Sequence, residues 1–168
     1  MMQAVKHFAV AALVVLGLMP LAYFVTVQYG IAQDTSEPEM TPEGPLNRYV
    51  ENIAFGIGER LVFEIGYGFI TAGTATLEVA ELVEFKDRPA YRIVSTARSN
   101  KFVSSFYPVR DRVESIVDAL GIFSWHFDKN LREGNYRSHR VYTFDQVNHK
   151  VVYEDSVHTI APYVQDAL

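Results

Sequence analysis

The chain has 168 residues, of which 49% are hydrophobic, 21% charged and 13% aromatic. That balance supports one packed domain and excludes a disordered chain, which needs low hydrophobicity. With 15 basic against 20 acidic side chains the net charge is -5, which lacks the basic footprint of a nucleic-acid-binding domain. Cysteine is absent, so disulfides, thiolate metal sites, a cysteine nucleophile and a lipidated N-terminal cysteine are excluded.

Lys6 is the one basic Lys or Arg ahead of an uninterrupted apolar stretch, Phe8 through Val27. Asp34, Glu37, Glu39 and Glu43 follow it. A basic start and an acidic far side place the rest of the chain outside the cytoplasm. This predicts an N-terminal apolar helix with two readings. Phe8–Met19 has the length of a signal-peptide core, and Gly30-Ile31-Ala32 supplies small residues for cleavage. Alternatively, Phe8–Val27 is retained, since about 20 apolar residues span a bilayer. Both readings point to the periplasm or cell envelope. The organisation expected is a signal or anchor over 1–32, a flexible linker over 33–54 and a β domain over 55–168. Pro38, Pro42 and Pro45 among acids, with no apolar period, mark the linker.

The remainder reads as consecutive strands. Leu61, Phe63, Ile65 and Tyr67 alternate on one face. Ile70 to Glu81 follows, with Thr71, Gly73, Ala75, Leu77 and Val79 on one side; such small residues suit close approach of another backbone. Lys86-Asp87-Arg88-Pro89 predicts a turn. Tyr91 to Ser99 is the next strand. Phe102, Val103, Phe106 and Tyr107 have helical spacing, but Pro108 limits that helix to about a turn. Arg110–Asp118, Phe123–Lys129, Tyr136–Asp145 and the run from Lys150 to Asp155 complete the series. The fold class is mainly β, an antiparallel meander curled into an open or closed barrel.

A two-residue loop at Gly134 pairs odd with even positions across its hairpin. Phe123, Trp125 and Phe127 then share a face with Tyr136, Arg140, Tyr142 and Phe144. Ser124, His126 and Asp128 share the other with His139, Val141 and Thr143. A bulge would break this assignment.

Gly58-Glu59-Arg60-Leu61-Val62-Phe63 followed by Ala72-Gly73-Thr74-Ala75 resembles the opening of the DUF3108 family, exported bacterial proteins of unknown function. The resemblance continues through Tyr107-Pro108-Val109-Arg110-Asp111-Arg112-Val113-Glu114-Ser115, Arg132-Glu133-Gly134-Asn135-Tyr136 and Phe144-Asp145, and covers roughly Phe55 to Leu168. It implies an antiparallel β fold in the envelope and brings no catalytic residues. In the family a segment like Val164–Leu168 leads into a Ser-rich, Tyr-Leu-Arg stretch and further strands. The chain stops at Leu168, so a truncated reading frame or fragment is expected, with an unpaired sheet edge.

Several constellations invite a chemical reading. Trp125, Phe127, Tyr142 and Phe144 form an aromatic face that serves either as core or as a cavity for a lipid or other apolar ligand, with Arg140 as its polar group. Arg98 is placed to pair with Asp111 as a structural lock. His126, Asp128 and His139 offer two imidazoles and a carboxylate to a metal, or form a solvated polar face; compact HxH and HExxH spacings are absent. No Gly-x-Ser-x-Gly elbow exists, and Gly66-x-Gly68 reads as a turn. The function expected is a non-enzymatic exported envelope protein, without cofactor, that binds a lipid or apolar small molecule. It would touch a membrane only through residues 8–27 if these are kept. A metal-dependent enzyme using the His/Asp face is the alternative, and a structural or partner-binding envelope protein the third reading.

Overall fold

Period-two alternation becomes strand through most of the chain, because each strand turns one row of side chains inward and leaves the other to water. The structure, a computed structural model, describes residues 28–29 and 45–168. The expected N-terminal helix, the Ala32 site and residues 33–44 of the linker lie outside the described residues. Among the described residues no helix is long and apolar enough to cross a membrane.

The strands are β1 (Gln28–Tyr29), β2 (Arg60–Tyr67), β3 (Ile70–Phe85), β4 (Arg88–Ser99), β5 (Arg110–Asp118), β6 (Ser124–Glu133), β7 (Tyr136–Asp145), β8 (Lys150–Tyr153) and β9 (Ser156–Thr159). They form one nine-stranded sheet, antiparallel throughout and in chain order. The expected meander is present, and it is open. β1 and β9 lie at opposite margins and do not pair. The closed barrel is therefore ruled out. Closure needs long, staggered end strands, and these have two and four residues.

Turn chemistry sets the hairpins. Lys86 and Asp87 carry φ of 53° and 60°, the left-handed pair of a type I′ turn. The turn is thus narrower than expected, and Arg88 and Pro89 belong to β4. Pro89 is tolerated there because β5 ends opposite Ala90 and needs no donor from it. Gly134 and Asn135 make the two-residue loop of the next hairpin, with Glu133 opposite Tyr136. Gly134 has a φ of 53°, and a Cβ there would stand 2.7 Å from the Tyr107 ring. The β4–β5 connection holds one helical turn, α1 (Lys101–Ser104), capped by Asn100, which accepts from the Val103 N–H at 2.9 Å.

Two bulges decide which face each side chain takes. In β3, Val79 pairs with Ile93 and Glu81 with Arg92, so Ala80 is extra. In β6, Ser124 pairs with Val117 and His126 with Ile116, so Trp125 is extra. Each extra residue flips the alternation beyond it. Val83, Phe85 and Trp125 therefore join Ala90 and Ile116, with Leu46 and Phe123, in a core on one side of the sheet. Val79, Tyr91, Ile93 and Val117 form a second core on the other side, covered by Phe55 and Ile57. Residues 46–54, part of the stretch read as linker, pack on the sheet. Leu46 is buried, Val50 N–H donates to Leu120 O at 2.8 Å, and Asn52 Nδ2 reaches the Tyr91 hydroxyl at 3.3 Å.

Asp118, fully buried at the end of β5, ties these parts together. It accepts Arg88 Nε at 2.5 Å, Arg88 Nη2 at 3.0 Å, the Gly121 and Leu120 N–H groups at 2.7 and 3.0 Å, and Trp125 Nε1 at 3.3 Å. Removing one partner of a buried, hydrogen-bonded ion pair costs about 3–5 kcal/mol. Asp118→Ala should therefore lower unfolding free energy by about 3 kcal/mol or more in a urea titration. A loss under about 1 kcal/mol would show that Asp118 does not organise the turn.

Candidate ligand-binding face

Residues directly opposite one another on antiparallel strands project from the same face. The registers therefore give continuous rows. One runs Val79–Ile93–Ser115–Phe127–Tyr142–Tyr153 from β3 to β8. The next runs Leu61–Leu77–Ser95–Val113–Lys129–Arg140 from β2 to β7. A third runs Phe63–Ala75–Ala97–Asp111. This face is mainly apolar, and small residues in β3 and β4 keep it low. The opposite face carries Thr76–Thr96–Arg112–Asn130–His139 and Glu78–Val94–Glu114–Asp128–Val141. It is the polar face over the same span.

On the apolar face, β6, β7 and β8 build an aromatic ladder. Phe127 and Tyr142 lie 6.1 Å apart at 46°, and Tyr142 stacks on Tyr153 at 4.6 Å and 16°. Phe127 is buried, whereas both tyrosines keep part of their surface in contact with solvent. Phe144 follows Tyr142 on this face and is buried opposite Val151. Lys129 and Arg140 stand directly opposite one another beside the ladder. Arg140 carries a guanidinium, always charged in proteins, and a hydrogen bond with Tyr142 holds it above its usual range. A hydrogen bond to Glu154 raises the Tyr153 phenol above its ordinary value.

Phe127, Arg140, Tyr142 and Phe144 thus share a face as the hairpin arithmetic requires. Trp125 does not share it. Its bulge turns the indole to the other side, where it is 2% exposed and packed edge-on against Phe123 at 5.0 Å. The aromatic face is therefore completed by Tyr153, which the sequence reading missed. The signal for it was the β7–β8 register, set by the Gln146–His149 turn with Asp145 opposite Lys150.

The proposed Arg98–Asp111 pair is not formed. Ala97 stands opposite Asp111 and Arg98 opposite Arg110, so the two side chains leave opposite faces. Asp111 instead accepts the Arg132 backbone N–H at 2.8 Å. His126, Asp128 and His139 do share the polar face, where His139 Nε2 meets Asp128 Oδ1 at 2.9 Å. Among the described residues no three His, Asp or Glu side chains are gathered closely enough to hold a metal ion.

A shallow cleft of about 350 Å³ lies between Phe106–Pro108 and Glu133–Tyr136. It is the place where two of the segments singled out in the sequence meet, through the Gly134 N–H to Pro108 O bond at 2.8 Å. Burial pushes the Glu133 carboxyl up from its ordinary value. The neighbouring Asp111 adds to the rise and Lys129 opposes it. A carboxyl raised on folding stabilises the fold while protonated, below its unfolded value near 4.5, and this contribution is lost as pH rises through the folded value. Glu133→Gln should therefore raise the melting temperature at neutral pH, with the gain shrinking below pH 4.5. Equal gain at both pH values in a thermal melt would contradict the burial argument.

A family model described as a protein of unknown function (DUF3108) matches residues 62–167, more than half of the 168-residue chain. No curated protein and no solved structure matches the chain.

Proposed function

The chain belongs to the DUF3108 family, whose function is unknown, and from that premise we propose an exported, non-enzymatic envelope protein that binds a lipid-like amphiphile on the apolar face of its sheet. The observation that carries this reading is the Phe127–Tyr142–Tyr153 ladder with Lys129 and Arg140 beside it. Ligand sites are mostly apolar surfaces with a few placed polar groups. Like charges directly opposite on neighbouring strands are unfavourable. An anionic head group between Lys129 and Arg140 removes that repulsion while its chain lies along the tyrosine rings. Export rests on Lys6 and the apolar stretch Phe8–Val27.

Native mass spectrometry of the chain purified from a bacterial envelope should show a compact protein with an added lipid-sized mass. Tyr142→Ala, at a partly exposed position, should leave the circular dichroism spectrum unchanged and abolish that adduct. For a long-chain fatty acid as probe, Arg140→Gln should weaken binding about tenfold, on the order of 1.4 kcal/mol. A compact protein without adduct, together with no fatty-acid binding, would reject the ligand reading.

A further inference from the structure

One end of the sheet gathers exposed apolar side chains from three separate loops. The β2–β3 hairpin, the β4–β5 connection and the β6–β7 loop all lie at this end, since the strands alternate in direction. Each exposes large apolar side chains: Tyr67, Phe69 and Ile70 on the first, Phe102 and Phe106 on the second, Tyr136 on the third. Phe69 is 99% exposed. The three loops are joined. Asn100 N–H donates to Ala72 O at 2.8 Å, Asn100 Nδ2 reaches Thr71 O at 2.5 Å, and the Tyr107 ring lies against Gly134. Exposed clusters of this kind mark interaction surfaces.

The same end carries a row of arginines. Arg98 stands opposite Arg110, and Arg132 opposite Arg137. Arg110 and Arg132 face one another as well, because the pairs Arg112–Asn130 and Val109–Glu133 bracket them in one register. Four guanidinium groups thus cross β4 to β7 on the polar face, spanning roughly 14 Å at the usual strand spacing. All four residues are exposed, and none forms an ion pair among the described residues. Glu64 is the acid in the same row on β2, separated from Arg98 by Thr74, while Asp111 and Glu133 occupy the other face. A chain of net charge -5 has concentrated like charges where they repel.

Aromatic rings at a rim of cations match the interface of a bilayer, where tyrosine and other aromatic rings sit at head-group depth and arginines meet anionic lipid. The direction of β1 favours a bilayer over a soluble polyanion. Gln28 lies opposite Val62 and Tyr29 opposite Leu61, so the chain enters β1 from the side of Tyr67. The apolar stretch Phe8–Val27 immediately precedes that entry in sequence. We propose that this end of the sheet is a docking surface for an anionic lipid bilayer, with the loop aromatics entering the interface and the arginine row lying on the head groups. The surface is distinct from the Phe127–Tyr142–Tyr153 ladder, so either assignment stands without the other.

The chain lacks cysteine, so single labels are clean. Full-length Phe69→Cys and Phe102→Cys, each carrying an environment-sensitive fluorophore, are reconstituted with vesicles of phosphatidylcholine alone or mixed with phosphatidylglycerol, both containing a nitroxide-labelled lipid. Val147→Cys, exposed in the β7–β8 turn at the other end, is the control. Any tether supplied by residues 8–27 is common to every sample, so the comparison reads docking of the sheet. Quenching at both loop labels should rise about twofold on the anionic vesicles and fall back in high salt, with the control unchanged. Arg98→Gln/Arg110→Gln/Arg132→Gln/Arg137→Gln should remove the lipid dependence; if it misfolds, the salt titration carries the charge test. Equal quenching at all three labels means tethering alone and overturns the proposal. So does quenching confined to Val147, and so does protection of the loop labels by soluble polyphosphate with none by vesicles.

Discussion

The Asp118 carboxylate is the point on which the sheet turns. Buried between strands, it must be paired, and its five donors come from the β3–β4 hairpin side, the β5–β6 turn and the bulged Trp125. Satisfying it holds the indole on one side of β6 and so fixes which face the next residues take. Lys86 then lies over that ring at 4.9 Å, and Phe85 packs beside it. The core at this end is therefore a consequence of one buried charge and the backbone irregularity that feeds it.

From that anchored end the sheet runs outward with its alternation intact. One face stays apolar because its rows combine β-branched, aromatic and small residues; the other stays charged. Among the described residues, packed cores lie on both sides near the anchored end, where the bulges flip Val83, Phe85 and Trp125 across. Farther along, like charges stand opposite one another twice, Lys129 with Arg140 on the apolar face and the arginine row on the polar face. Each such pairing works against the fold. Their presence in an acidic chain, beside side chains left exposed among the described residues, is what the proposed binding roles rest on.

The hairpin at Gly134 was legible because a two-residue loop leaves one parity of pairing. Phe127, Arg140, Tyr142 and Phe144 accordingly fell on one face. Tyr153 was not legible, since its register depends on the longer Gln146–His149 turn, in which His149 takes a φ of 53°. The Arg98–Asp111 pair failed for the same reason in reverse. The long β4–β5 connection does not announce its register, and a shift of one position moves a side chain to the other face.

By itself the sequence determined the strand series and its antiparallel order, because alternation and turn residues are local signals. Only the tertiary structure decided that the sheet stays open, that Trp125 belongs to the core and that three separate loops bring their aromatics to one end. Those outcomes depend on where a bulge falls and on which rows face each other, and both are set by packing between segments far apart in the chain.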